Sequence, residues 1–190
     1  MSASDDRDRV PAKPGEPCDG PPVANLADLF AVAWRIEADA VERYHLLADQ
    51  METFNNTELA LVFRDLARAE GIHRDEIQRM AGDIDVVAHA RSLPDWGRGE
   101  SPEKADLGDA HYLMTPWHAL KMALAGEERA LSYFQHVVAT AGDPKVQEMA
   151  KEFVEEEAEH VNLCHRLLRK YPAPQGESWS DDPDPAIAQE

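Results

Sequence analysis

Between residues 23 and 171, large apolar side chains recur at i, i+3 or i+4, and i+7, and the two-residue alternation of a surface strand is missing. The pattern predicts four helices. The first runs from about Leu26 to Met51, with Asn25 and Asp28 placed as an N-cap pair. The second runs from about Thr57 to Ala81, opened by Asn55-Asn56 with Glu58 close behind. The third opens at Thr115-Pro116 and the fourth at Asp143-Pro144, each a cap residue followed by proline at the first helical position. The fourth stops before Pro172. Glu52 to Asn56 forms a short turn between the first two helices, and Gly142-Asp143-Pro144 one between the last two. The link from residue 82 to 114 contains Pro94, Gly97, Gly99, Pro102 and Gly108 and is long for a compact domain. A four-helix bundle with one long crossover between its second and third helices accounts for it, because that link must travel the bundle's length.

Each apolar stripe is interrupted near its middle by a glutamate. The stripes read Leu26, Phe30, Ala33, Glu37, Val41, Tyr44, Ala48, Met51; Leu59, Val62, Leu66, Glu70, His73, Ile77, Met80; Leu120, Leu124, Glu127, Leu131, Phe134, Val138; and Val146, Ala150, Phe153, Glu157, His160, Cys164, Leu167, Tyr171. A lone buried carboxylate costs several kcal/mol unless it is paired, protonated or metal-bound, so four in one core need a common explanation. Their heights agree as well. Glu37 and Glu70 are equidistant from the first turn, and Glu127 and Glu157 from the second. At ~1.5 Å per residue all four lie roughly 22–25 Å from their turns, near mid-bundle. His73 and His160 follow their glutamates by three residues and share their helix faces.

The two hairpins also read as a repeat. A shift of 90 places Glu37 on Glu127, Ala40 on Ala130 and Tyr44 on Phe134, and a shift of 87 places Glu70 on Glu157 and His73 on His160. One Glu from each of two helices and Glu-x-x-His from each of the other two is the layout of a dinuclear carboxylate site. Two divalent ions balance the four carboxylates. Oxygen donors with two imidazoles suit iron first and manganese second, and the lack of thiolates argues against structural zinc. Glu42 and His45 form another Glu-x-x-His, but Glu42 lies about 140° around the helix from Glu37, which puts the pair on the surface.

Composition narrows the partners. Lys and Arg total 19 against 37 Asp and Glu, a formal net charge of −18, so nucleic acid is excluded as a partner: no surplus of cations is available for phosphates. The two cysteines, Cys18 and Cys164, form no CxxC. No apolar run approaches the ~20 residues of a membrane span, and the polar N-terminus lacks a signal-peptide centre, so the expectation is a cytoplasmic protein away from membranes. Residues 1–22 hold five prolines, and residues 172–190 hold four prolines and five acids with no Lys or Arg. Both are expected to be disordered tails flanking a bundle of residues 23–171.

The segments RIEADAVERYHLLA (35–48), ARAEGIHRDEI (67–77), LAGEERALSYF (124–134) and EEEAEHVNLCHRLL (155–168) resemble the rubrerythrin branch of the ferritin-like superfamily. The resemblance covers residues 23–171. It implies a ferritin-like bundle around a di-iron centre that reduces hydrogen peroxide. It further implies Glu37 and Glu127 as ligands from the first and third helices, Glu70 and Glu157 as bridging carboxylates, and His73 and His160 as terminal nitrogen ligands. Rubrerythrins carry another carboxylate three residues after the third-helix ligand, where this chain has Ala130. The six residues that remain look like a bacterioferritin ferroxidase centre. This chain has no rubredoxin-type cysteine knuckle, so a peroxidase would take its electrons from an external donor. Two alternatives stand beside a peroxidase: a ferroxidase or iron-handling protein using dioxygen, and a non-catalytic metal-bound adaptor or cargo protein. A homodimer or larger homo-oligomer is expected.

Several further residues invite a role. Tyr44, two turns beyond Glu37, could hydrogen-bond a ligand carboxylate or serve as a core residue. Trp34 and Trp117 are expected to pack, and Cys164 to be a small core residue. His118 and Met122 lack partners for a second metal site. His89 and His111 in the crossover are expected to face solvent, and Cys18 and Trp179 lie in the tails.

Overall fold

The computed structural model describes residues 20–96, 101–103 and 115–174. Cys18, His111 and Trp179 lie outside these residues, as does nearly all of both expected tails. The described residues are all-α: α1 (Leu26–Thr53), α2 (Thr57–Met80), α3 (Val86–Ser92), α4 (Pro116–Thr140) and α5 (Pro144–Lys170). α1 packs on α2 and α4 on α5 as two hairpins, and α1 also touches α4 and α5. The arrangement is a ferritin-like four-helix bundle.

Local chemistry sets the helix starts. Asn25 accepts from the Asp28 amide at 3.0 Å while Asp28 accepts from the Ala24 amide at 3.0 Å, a reciprocal cap that satisfies donors the helix leaves unpaired. Asn56 caps α2 through the Leu59 amide at 3.1 Å, and Asp143 caps α5 through the Lys145 amide at 2.9 Å. At α4 the Thr115 amide donates to His118 Nδ1 at 3.2 Å. His118 is therefore a capping residue. Asn55 adopts φ 57° in the first turn, a left-handed conformation that Asn tolerates better than most residues.

The crossover differs from the expected irregular link. Asp85 caps a seven-residue helix, α3, through the Ala88 amide at 2.9 Å, and Val86 and Ala90 bury against α1. His89 does not face solvent freely: its Nε2 lies 2.8 Å from Asp28 Oδ1, which fastens α3 to the start of α1. Beyond α3, Trp96 buries and meets Tyr133 edge-on with centroids 5.1 Å apart. Tyr133 donates to the Pro21 carbonyl at 2.9 Å, and a Cβ on Gly20 would fall 2.3 Å from the Tyr133 ring. Residues 20–21 are thus packed on the bundle just ahead of the expected boundary at residue 23.

Two apolar clusters flank the bundle's middle. One gathers Phe30, Ile36, Ile77, Trp96, Phe134 and Phe153. The other gathers Tyr44, Leu47, Met51, Phe63, Leu120 and Cys164. Trp34 packs against the first as a half-buried residue. The expected stripes stop short at one end, since Met80 is exposed. They are also too narrow: Leu29, Val32, Ile36, Ala40, Arg43 and Leu47 form a second buried line on α1, and Ala119, Ala123, Gly126, Ala130, Tyr133 and Val137 a second on α4.

Candidate metal centre

Four helices bring their glutamates together between the two apolar clusters. Glu37 on α1, Glu70 on α2, Glu127 on α4 and Glu157 on α5 are each at most 4 % exposed. The histidines one turn further along α2 and α5 join them. The His73 and His160 rings stack 5.2 Å apart and 7° from parallel. His160 Nδ1 lies 3.4 Å from Glu70 Oε1, 3.4 Å from Glu127 Oε2 and 3.9 Å from Glu157 Oε2. His73 Nδ1 lies 3.5 Å from Glu70 Oε2.

These contacts define two groups of potential ligand atoms, Glu70/His73/His160 and Glu127/Glu157/His160, each within 4.8 Å of one another. Ligand atoms about 2.1 Å from a shared ion lie about 3–4 Å apart, so both groups are close to coordinating spacing. Glu37 stands outside both groups, within hydrogen-bond reach of Glu70. Five of the six expected residues therefore converge as potential ligands, and the sixth is their buried neighbour. Glu42 and His45 are exposed, as expected of a surface pair.

The charges of this cluster are unevenly relieved. Burial, then the charge of Glu70, holds the Glu37 carboxyl well above the ordinary glutamate range. Burial, then the charge of Glu127, does the same to Glu157. Burial pushes Glu127 upward too, but the His160 hydrogen bond, Arg43 and Tyr44 overcome it and bring Glu127 down to about 2. Burial disfavours the charged form of His160, yet Glu127, Glu70 and Glu157 push it up to about 10. The Glu70 carboxylate beside it raises His73, against burial.

A cation fits this constellation. Glu70 Oε1 and His73 Nδ1 are buried with no well-oriented hydrogen-bond partner, an arrangement that costs free energy unless something else engages them. The converging donors are carboxylate oxygens and imidazole nitrogens, which suit iron or manganese. Cys164 lies close by, but burial, then the charge of Glu127, pushes its thiol up to about 12, so it remains a protonated core residue.

Tyr44 is buried and its hydroxyl donates to Glu127 Oε1, a candidate ligand carboxylate. A group beyond the sequence reading stands beside it. Arg43, 2 % exposed, donates from Nη2 to the same Glu127 Oε1 at 2.8 Å. Its Nη1 pairs with the buried carboxylate of Glu103 from the crossover, whose carbonyl lies 3.4 Å away. The second buried line on α1, spaced i, i+3/i+4, was the signal that could have placed Arg43 inside.

The fold and the buried carboxylate–histidine groups define a ferritin-like protein with a core able to hold metal. A family model described as Rubrerythrin matches residues 28–107. A solved structure of an uncharacterized conserved protein from Magnetospirillum magnetotacticum MS-1 is 38 % identical, covers 80 % of this chain and 99 % of that one, and superposes with a TM-score of 0.63. No curated protein matches. The chain belongs to one family with the Magnetospirillum protein, and its match to the Rubrerythrin model makes it a rubrerythrin-related, ferritin-like protein. Among the described residues no helix is long and apolar enough to cross a membrane.

Proposed function

We propose that the chain is a non-haem di-iron oxidoreductase that reduces hydrogen peroxide with electrons from an external donor. The observation behind this reading is the pair of Glu/His groups sharing His160, with Glu70 Oε1 and His73 Nδ1 inside it lacking a well-oriented hydrogen-bond partner. In this reading Glu37, Glu70, His73, Glu127, Glu157 and His160 would hold two ions, with Glu70 and Glu157 as the expected bridging carboxylates. A pair of ferrous ions held there would supply the two electrons that reduction of one peroxide needs, with manganese as the alternative metal. The chain's own part is to bind and orient the ions, to exclude bulk water with the apolar clusters on either side, and to keep protons near the site. Tyr44 holds one such proton against Glu127 Oε1. Burial and neighbouring carboxylates raise Glu37 and Glu157 in the metal-free chain, so a bound cation would compete with protons for these two groups.

The competing reading is a ferroxidase that uses dioxygen and passes iron on. Ala130, fully buried one turn beyond Glu127, favours it, because no further carboxylate stands there. Anaerobic loading with Fe(II), followed by stopped-flow mixing with peroxide or dioxygen, separates the two. The proposal expects much faster oxidation by peroxide, with iron retained through repeated turnover when a reductant is present. Equal rates, or a faster reaction with dioxygen and accumulation of ferric product, would favour the ferroxidase.

A further inference from the structure

The two halves of the centre are related by the 90-residue repeat, yet among the described residues the arginine–tyrosine support is seen at one half alone. Tyr44 on α1 reaches across to Glu127 on α4. Its repeat counterpart is Phe134, which has no hydroxyl to offer Glu37. Arg43 corresponds to Tyr133, whose hydroxyl is spent on the Pro21 carbonyl. Glu127 Oε1 thus receives a phenol and a guanidinium, while its other oxygen, Oε2, faces His160 Nδ1 at 3.4 Å.

A buried guanidinium needs compensation on every face. Here Glu127 of α4 supplies one part of it and a residue outside the four main helices another. Glu103, 1 % exposed, pairs with Arg43 Nη1, while Arg129 fixes the residue before it by donating from Nε and Nη2 to the Pro102 carbonyl at 2.9 and 2.7 Å. The space for this pair exists because residue 126 is glycine: a Cβ there would fall 1.8 Å from Arg43 Nη1 and 3.0 Å from Glu103 Oε1. Arg43, Glu103 and Gly126 therefore come from α1, the crossover and α4 as one fitted unit pressed against a single ligand carboxylate.

Resting on the dinuclear reading above, we infer that Arg43 is a positioning residue for the metal centre, held by Glu103 of the crossover. Together with Tyr44 it occupies Oε1 of Glu127, so that Glu127 offers a metal only Oε2. The consequence is an unequal pair of metal positions. The one served by Glu127, Glu157 and His160 is braced by Glu103 of the crossover, and among the described residues no matching brace is seen beside Glu37. Arg is suited to this because its planar fork engages two carboxylates at once, which an ammonium does less well.

The test is anaerobic titration of the full chain with Co(II), followed by ligand-field absorption and metal stoichiometry. The variants are Arg43→Met combined with Glu103→Gln, which removes both buried charges together, and Arg43→Lys. The wild type should bind two Co(II). The double variant should still bind two, with the affinity of one lowered tenfold or more and its absorption band altered while the other ion's is unchanged. Arg43→Lys should recover part of the difference. Two ions bound by the double variant with wild-type affinity and spectrum, or both weakened equally, would overturn the inference. A measurement on the wild type needs no variant to fold: Co(II) loading should slow hydrogen exchange at the Glu103 amide, since coupling between site and crossover is reciprocal. Unchanged exchange there would also overturn it. A wild type that binds fewer than two Co(II) defeats the dinuclear reading itself, whereas a normal wild type with an indifferent double variant defeats only the role of Arg43.

Discussion

Glu37 and Glu127 stand at equivalent turns of two repeated hairpins, and their surroundings have parted. Glu127 is met by His160, Arg43 and Tyr44, three donors from two other helices, and is held as a carboxylate. Glu37 is met mainly by other carboxylates, and burial together with their charge raises its carboxyl well above the ordinary glutamate range. Both are equally buried, so burial alone does not decide the protonation of a carboxyl; the neighbours do. A duplicated scaffold can thus keep its ligands in place while its supporting residues diverge.

The largest expected contrast is in the stability of the metal-free chain. Glu127→Gln breaks a buried ion pair and should cost about 3 kcal/mol, whereas Glu37→Gln removes a carboxyl from a repulsive cluster and should be neutral or stabilising. Urea melts of the two variants check this, and effects of the same sign would erase the distinction between the halves. Next comes Gly126→Ala, which drives a methyl into Arg43 and should cost about 1–3 kcal/mol in the same melts, while Gly142→Ala, with open space around it, should change little. Tyr44→Phe reproduces the residue found at the repeat's other half. It should cost about 1.5 kcal/mol as the hydrogen bond to Glu127 is lost, with little change in far-ultraviolet circular dichroism.

A further contrast is a pH trend in the metal-free chain. Glu37 and Glu157 have raised values, so the native state holds extra protons and loses stability as pH rises from ~4.3 through those values. His160, raised to about 10, contributes stability below ~6.5 that is lost as pH climbs toward that value. Glu127, lowered to about 2, contributes stability above ~4.3 that is lost only as pH falls toward its folded value. Metal-free stability should therefore be greatest near mildly acidic pH and fall toward pH 9. Cation loading should stabilise more at pH 7 than at pH 5, because fewer protons must be displaced. Urea midpoints with and without metal at the two pH values measure this.

The helix boundaries were legible because their causes are local. Asn25, Asn56, Thr115-Pro116 and Asp143-Pro144 sit within three residues of the amides or turns they govern. The carboxylate ring was legible because its four members break four otherwise apolar stripes at matched heights. The seven-residue α3 was not, since a helix that short is held by packing on α1 rather than by its own periodicity. Arg43 escaped for a related reason. It follows Glu42 and precedes Tyr44 in a charged stretch, and its partners Glu103 and Glu127 lie 60 and 84 residues away. Only a wider buried arc on α1, with glycine opposite it on α4, marks the place where a guanidinium can enter. His89 was misjudged likewise, because its partner Asp28 belongs to a different element.

The most direct test of a dinuclear centre is the metal content of the full chain after anaerobic Fe(II) loading and removal of loosely bound ions. The account predicts two iron ions per chain in the wild type and at most one in Glu70→Ala or Glu157→Ala, each variant having a native-like helical spectrum. A wild-type content near zero, or two ions retained in both variants, would contradict it.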